Sequence, residues 1–153
     1  MRLFVALDLP ADISFPLPEP PWRPVPREKQ HATLVFLGSV DAAPVFDAAP
    51  PAAPLVIDAP VLLPPRRPRV LAIRMTDPTG ALTAYQARLA RALGVVEERP
   101  WLPHVTIGRT RERVRGDAPL PELEAVTFTC ASATLYRSAG GRYEALASVQ
   151  TET

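Results

Sequence analysis

Two histidines are the residues of this chain best suited to acid–base chemistry, and they stand in matching surroundings. His31 and His104 are the only histidines, and each is followed two residues later by a threonine, Thr33 or Thr106. Residues two apart in a β-strand project from the same face, so each strand would present an imidazole beside a hydroxyl. Because the pattern repeats almost half a chain length further on, we expect two matched halves of one site.

Paired imidazoles suit the cleavage of a phosphodiester, which needs one proton removed from the attacking group and another delivered to the leaving oxygen. An unperturbed imidazole has a pKa of about 6.5, so its neutral and protonated forms coexist near neutral pH. A hydroxyl beside each ring can donate to a phosphoryl oxygen as negative charge develops. His31, Thr33, His104 and Thr106 are therefore the predicted catalytic residues.

A zinc site is another possible use of two histidines. Zinc takes four ligands in structural sites and at least three protein ligands in catalytic ones. The chain has one cysteine and no further histidine, so carboxylates would have to complete the set. We predict no metal and no cofactor, and Cys130 is expected to be a buried apolar residue rather than a nucleophile.

The elements that hold these residues are mostly strands. Apolar alternation and β-branched content predict strands at about 3–8, 32–37, 55–59, 70–75, 105–109, 126–136 and 143–149. Gly140 and Gly141 predict a hairpin turn between the last two strands. One helix is predicted over 78–93, with Asp77 as its N-cap and Gly94 as its C-terminal stop. The proline-rich stretches 15–26 and 41–54 are predicted to be ordered loops.

Composition predicts a single soluble domain over residues 1–153. The chain has no run of eighteen apolar residues and no signal-peptide pattern, so we expect a cytoplasmic protein, a monomer, with no membrane span. The net charge of +1 excludes a binding mode that depends on overall positive charge, so any contact with RNA must be local.

The residues around the two motifs resemble the two-histidine (2H) phosphoesterase family, and within it the LigT type of 2',5'-RNA ligases and RNA 2',3'-cyclic phosphodiesterases. Residues 2–10 resemble the family's opening strand, 31–38 its first motif and 103–107 its second. Residues 23–25 resemble the approach to the first motif, and 134–138 the late strand before the final hairpin. The resemblance therefore spans most of the chain.

The resemblance implies an α+β, bilobal fold in which two antiparallel sheets form a V-shaped cleft, with a His-x-Thr motif on each wall and no metal. It also implies that Arg109 contacts phosphate or the nucleotide. Aromatic side chains near the cleft are candidates to stack on a base, with Tyr136 the first choice, since it lies in the late strand, and Phe4 next. Trp22, Trp101 and Tyr143 are further candidates, and core packing is the alternative for each of the five.

The implied substrate is RNA with a 2',3'-cyclic phosphate, hydrolysed to a 2'-phosphate, with 5'-hydroxyl RNA ends as partners in a reverse, ATP-independent 2',5' ligation. By the family's usual mechanism His104 is the base and His31 the acid, although the reverse assignment fits the matched motifs nearly as well. The proline-rich stretches replace two helices that family members carry, which predicts a trimmed first lobe.

Three other interpretations stay open. The same site could open small cyclic phosphates or cut 2',5'-linked oligoadenylate, or the cleft could be a non-catalytic RNA-binding module.

Two groups of arginines could line a rim that faces the RNA backbone. They are Arg66, Arg67 and Arg69, and then Arg109, Arg111, Arg113 and Arg115. Solvated loop arginines are the alternative.

Overall fold

The computed structural model describes residues 1–152, which form nine strands, one α-helix and one short 3-10 helix. The strands are β1 (Arg2–Asp8), β2 (Arg23–Pro24), β3 (His31–Ser39), β4 (Pro54–Leu63), β5 (Val70–Thr76), β6 (His104–Arg109), β7 (Thr127–Thr129), β8 (Ser132–Ala139) and β9 (Arg142–Gln150). The helix α1 spans Ala81–Ala92, and the 3-10 helix spans Arg27–Lys29.

The strands form one antiparallel sheet in the order β7-β4-β5-β6-β3-β1-β8-β9, and β2 pairs with the end of β6. The two expected sheets are the two halves of this single sheet, β7 to β6 and β3 to β9. The halves join where β3 pairs with β6 at one position, Ala32 opposite Val105. The two histidine motifs therefore lie on the two strands at the junction.

Alternating burial shows which face of the junction covers the core. Ala32 and Val105 are fully buried, whereas the histidines and threonines on either side of them are half-buried. The buried side of helix α1 packs on the core face, where the Gln86 side-chain amide donates to the Leu34 carbonyl at 3.0 Å. The opposite face of the sheet is left for the motifs.

The predicted strands are confirmed with one exception. Residues 126–136 do not form one strand, because Cys130 and Ala131 separate β7 from β8. The two strands lie in opposite halves of the sheet, since β7 pairs with β4 and β8 pairs with β1 and β9. The sequence between them contains neither glycine nor proline that would mark this change of partner. Cys130 is buried, as predicted, and its pKa is raised to about 12 by burial first and the Asp8 charge second.

The predicted start of the helix is wrong. Gly80 adopts a left-handed φ of 77°, so α1 begins at Ala81 and not at Pro78. Asp77 lies before that turn and still accepts hydrogen bonds, from both the backbone N–H and the hydroxyl of Thr83 at 2.8 Å. The C-terminal stop is confirmed, because Gly94 has a φ of 72°.

The hairpin turn and the loops are also confirmed. Gly140 and Gly141 have φ values of 58° and 76°, the positive angles that a tight hairpin turn requires. Neither proline-rich stretch contains a helix. The short strand β2 lies within the first, and the 3-10 helix follows it. None of the helices within residues 1–152 has the length and apolar character needed to cross a bilayer.

Candidate active site

The register of β3 and β6 brings the two motifs to one face. Extending the antiparallel pair Ala32–Val105 by one residue in each direction sets His31 opposite Thr106 and Thr33 opposite His104. All four side chains alternate with buried neighbours, so they share the face of the sheet that points away from the core. This face is called the cleft face below. Each histidine thus has a threonine on its own strand and another across from it.

A β-bulge on β6 brings Arg109 to the cleft face as well. Strict alternation would place residues 104, 106 and 108 on one face and Arg109 on the other. Thr106 pairs with Ala72 but Gly108 pairs with Leu71, so Ile107 is an extra residue. Alternation restarts after it, and Arg109, opposite Val70, returns to the face of Thr106.

The strand β3 has a β-bulge at the same position relative to its motif. Thr33 pairs with Ala6 and Val35 with Val5, which leaves Leu34 as the extra residue, and Phe36 then lies opposite Phe4. The fifth residue after each histidine therefore reaches the cleft face: Arg109 on β6 and Phe36 on β3. Phe36 is 68% exposed, so its ring is open to solvent. Sequence reasoning missed Phe36, although it follows His31 by five residues, just as Arg109 follows His104.

His31 lies in a cluster of aromatic rings. Its ring centroid is 4.6 Å from that of Tyr136 and 5.8 Å from that of Tyr143. Burial lowers the pKa of His31 below 6.5, and the nearby Arg27 charge acts in the same direction. The Asp8 carboxylate and the Lys29 carbonyl act the other way, because both favour the protonated ring.

Asp8 is a second residue that sequence reasoning missed. It pairs with His31 across β1 and β3. Its carboxylate accepts hydrogen bonds from Ser132 at 2.7 Å, from Thr134 at 2.6 Å and from the Tyr136 hydroxyl. Burial, and then the hydrogen bond to Asp8, raises the pKa of Tyr136. The network fixes a negative charge, and the Tyr136 ring, beside His31.

The orientation of His104 is set by its own chain. Its Nδ1 lies 2.8 Å from the carbonyl of Leu102. A carbonyl can only accept, so Nδ1 donates and Nε2 is the nitrogen free to exchange a proton with a substrate. Lys29 precedes His31 by two residues, as Leu102 precedes His104. His31 Nδ1 is buried, however, and it forms no well-aligned hydrogen bond with the Lys29 carbonyl or with any other group of the described residues. Arg74, opposite His104 on β5, is held by Asp58 at 2.7 Å.

Three basic side chains share a cavity of about 280 Å³ beside Thr106. Arg23, Lys29 and Arg109 line it together with Thr106 and Tyr143, and no carboxylate lines it. Lys29 Nζ lies 5.6 Å from the Tyr143 ring centroid. A pocket of this charge, which includes Thr106 of the second motif, is suited to an anion.

The other predicted contacts divide between the cleft and the core. Tyr136 is half-buried beside His31, whereas Phe4 is only 6% exposed. The Phe4 ring packs on Tyr136 at 5.3 Å and edge-on to Tyr143 at 5.0 Å, so it supports those rings and offers no free face for a base. Trp22 is buried, and the Trp101 indole donates to the Thr33 carbonyl at 3.0 Å. Both tryptophans therefore take a packing role.

A group of three or more histidine, cysteine, aspartate or glutamate side chains that could hold a metal is not found within residues 1–152. The arrangement offers instead two imidazoles, two hydroxyls and a basic cavity. These groups can exchange protons with, and donate hydrogen bonds to, a bound phosphate ester.

Comparison with known proteins shows a family and several solved structures of similar fold. The model of the 2'-5' RNA ligase superfamily matches residues 20–142. The crystal structure of E. coli LigT complexed with 3'-AMP matches with a TM-score of 0.74 and 27% identity, covering 99% of this chain and 98% of that one. A structure described as a phosphoesterase matches with a TM-score of 0.69 and 25% identity, covering 99% of each chain.

The protein TT0787 of Thermus thermophilus has the same fold, with a TM-score of 0.72 and 21% identity over 98% of this chain and 97% of that one. The expected LigT-like fold is therefore confirmed over nearly the whole chain. A search of curated protein sequences finds no match.

Proposed function

This chain belongs to the 2'-5' RNA ligase superfamily, and on that basis we propose that it hydrolyses RNA ends carrying a 2',3'-cyclic phosphate to 2'-phosphate ends. One observation carries the proposal. The Ala32–Val105 pair sets both His-x-Thr motifs on one face, next to a cavity lined by three basic side chains. E. coli LigT, similar over nearly its whole length, was crystallised with 3'-AMP, a nucleotide with a 3'-phosphate.

The proposed reaction needs a base and an acid on the two sides of one phosphorus atom. His104 takes a proton from water, whose oxygen attacks the phosphorus and forms a new P–O bond. The bond from phosphorus to the ribose 3'-oxygen breaks, and His31 gives that oxygen a proton. The products are a 2'-phosphate and a 3'-hydroxyl.

The surroundings of each histidine support these roles. The Leu102 carbonyl holds the proton of His104 on Nδ1, which leaves an Nε2 lone pair to act as base. Asp8 stabilises the protonated ring that His31 needs as acid. Burial opposes this in the free protein, and the negative charge of a bound phosphate would add to the effect of Asp8.

The remaining cleft residues have roles in substrate binding. Thr33 and Thr106 donate to the non-bridging phosphoryl oxygens, where charge accumulates in the transition state. Arg109 binds phosphate with its planar fork, together with Arg23. Phe36 and Tyr136 offer ring surface to the nucleobase. No step requires a metal or ATP.

The same site would join RNA ends if a 5'-hydroxyl replaced water. The 5'-oxygen would then attack the phosphorus, the bond to the 3'-oxygen would break as before, and a 2',5' linkage would form. The strained cyclic diester supplies the activated phosphate.

The test is the product formed from a defined oligonucleotide with a 2',3'-cyclic phosphate, alone and with a 5'-hydroxyl oligonucleotide. We expect a 2'-phosphate end, lost in the His31→Ala and His104→Ala variants. A 3'-phosphate product, or unchanged substrate with excess protein, would refute the proposal. Cyclic mononucleotides and 2',5'-oligoadenylate, assayed in parallel, separate RNA ends from the smaller alternatives.

A further inference from the structure

A second basic cavity lies outside the candidate active site. It has a volume of about 460 Å³ and is lined by Arg66, Arg67, Arg69 and Arg113, with Pro68 and Val114. We call it the arginine pocket. Its arginines come from two loops far apart in sequence, the β4–β5 loop and the loop after β6. The first group of arginines noted in the sequence therefore meets one member of the second, Arg113, in space.

The arginines of the arginine pocket form no ion pair within residues 1–152. No carboxylate lines the pocket. Arg113 also lines a neighbouring cavity that contains Glu112 and Asp117, but neither carboxylate forms an ion pair with it. The one ion pair formed between side chains of residues 1–152 joins Arg74 to Asp58. Four guanidinium groups without a paired carboxylate repel one another, and a bound anion would reduce that repulsion.

The arginine pocket adjoins the end of the cleft that carries Arg109. Thr110 donates its backbone N–H to the Arg69 carbonyl at 3.0 Å, and the next residue on β5, Val70, pairs with Arg109. Arg23 pairs with Arg109 from the other side. Arg109 follows Thr106 by three residues, or roughly 10 Å along a strand. Basic side chains thus continue from the candidate phosphate site to the arginine pocket.

We infer that the arginine pocket binds backbone phosphates of the RNA strand that leads away from the cyclic end. The inference rests on the proposed function for its substrate class. A terminal phosphate beside Thr106 directs the rest of the strand out of the cleft, and the basic side chains continue along β6 toward this pocket. Arginine forks suit phosphate oxygens, and a backbone contact of this kind is independent of sequence.

The test compares a single-stranded RNA oligonucleotide with a mononucleotide, both ending in a 2'-phosphate, by fluorescence anisotropy competition. Arg66 and Arg67 are exposed, so the double variant Arg66→Ala, Arg67→Ala is expected to fold with an unchanged Tm. We expect roughly tenfold weaker binding of the oligonucleotide. The slope of log K against log salt should fall by about 1.4. Binding of the mononucleotide should not change.

The matched control is Arg88→Ala, Arg91→Ala, which removes the same charge from the exposed side of α1 on the core face of the sheet. We expect it to bind the oligonucleotide as the wild type does. Equal losses in the two double variants, or equal losses for mononucleotide and oligonucleotide, would overturn the inference. Because binding of a product is measured, a protein without cyclic phosphodiesterase activity would refute the proposed function alone.

Discussion

Ala32 and Val105 are the single pair through which the two halves of the sheet are hydrogen-bonded at β3 and β6. Both side chains are fully buried, so the pair is fixed by core packing as well as by the strand register. A slip of one residue in this register would send the motif of one strand into the core. The relation between His31 and His104 therefore depends on apolar residues that touch no substrate.

Replacing either histidine with alanine should remove nearly all turnover. General acid–base action contributes roughly 10²- to 10⁴-fold to a rate, and each ring has its own role in the proposed mechanism. We expect kcat for a cyclic-phosphate oligonucleotide to fall by that range in His31→Ala and in His104→Ala. Thr33→Val should cost less. Circular dichroism serves as the folding control, and a variant that keeps its wild-type rate would contradict the assignment of that histidine.

Replacing Asp8 with asparagine should lower the pKa of His31 further. Burial already holds that pKa below 6.5, and the Asp8 carboxylate partly offsets the effect. Without the carboxylate the protonated ring loses the electrostatic stabilisation that Asp8 provides. If His31 is the acid, the basic limb of the kcat/KM–pH profile should therefore move to lower pH.

Titration of the histidine ring resonances by NMR measures this pKa shift directly. The chain has only two histidines, so the spectrum of the His104→Ala variant identifies the resonances of His31. Ser132→Ala is the control, since it removes one hydrogen bond to Asp8 and keeps the charge. An unchanged or raised His31 pKa in Asp8→Asn would show that the carboxylate does not act on the ring.

Replacing Phe36 with alanine should weaken substrate binding without weakening the fold. Stacking on an aromatic ring contributes about 1–3 kcal/mol per base, so KM for RNA should rise about 5- to 150-fold. Phe36 is 68% exposed, and its loss should change the free energy of unfolding by less than about 0.5 kcal/mol. Phe4→Ala is the opposite case. Its ring is only 6% exposed, so removing it should lower the free energy of unfolding by about 3–5 kcal/mol. An unchanged KM in Phe36→Ala would exclude stacking there.

Period-two alternation predicts the placement of the catalytic residues but not of their neighbours. His31 and Thr33, or His104 and Thr106, are two apart, and alternation alone sets each pair on one face. It assigns Arg109 and Phe36 to the wrong face, because a bulge residue follows each threonine. Bulges leave little sequence signal, since Leu34 and Ile107 are ordinary strand residues. The place of Arg109 came from family resemblance, and Phe36 had no such guide.

The network around Asp8 shows a second limit of sequence reasoning. Asp8 and Ser132 lie at opposite ends of the chain, and their hydrogen bond exists because β8 pairs with β1. No local pattern specifies that pairing. The length and composition of the strands predicted the sheet, whereas the order of its strands determines which polar residues meet.

Chelating metal ions should leave activity unchanged. The described residues contain no cluster of ligands for a metal, and the proposed steps use imidazole, hydroxyl and guanidinium groups alone. We expect equal kcat and KM for a cyclic-phosphate oligonucleotide with and without EDTA after dialysis. Activity lost in EDTA and restored by zinc would contradict the proposed mechanism.

Replacing Gly108 with alanine should disturb both the fold and the basic cavity. A Cβ there would lie 3.1 Å from Trp22 Cβ, which is closer than ordinary contact, and 3.4 Å from Pro18 Cγ, which is at contact distance. Trp22 is buried and joined to Arg23, so relieving the clash displaces β2 from β6. Overpacking of this kind costs about 1–3 kcal/mol in the free energy of unfolding.

Arg23 and Arg109 flank this contact, so KM for RNA should rise in Gly108→Ala along with the loss of stability. Gly116→Ala is the matched control, because the added Cβ meets no atom within 4 Å. That variant should keep the wild-type KM and unfold at the same denaturant concentration or slightly above it, since alanine restricts the unfolded chain. Chemical denaturation and steady-state kinetics on the two variants measure both effects. Equal stability in Gly108→Ala and the wild type would mean that Trp22 yields freely, and the close approach of β2 to β6 would then not position the cavity.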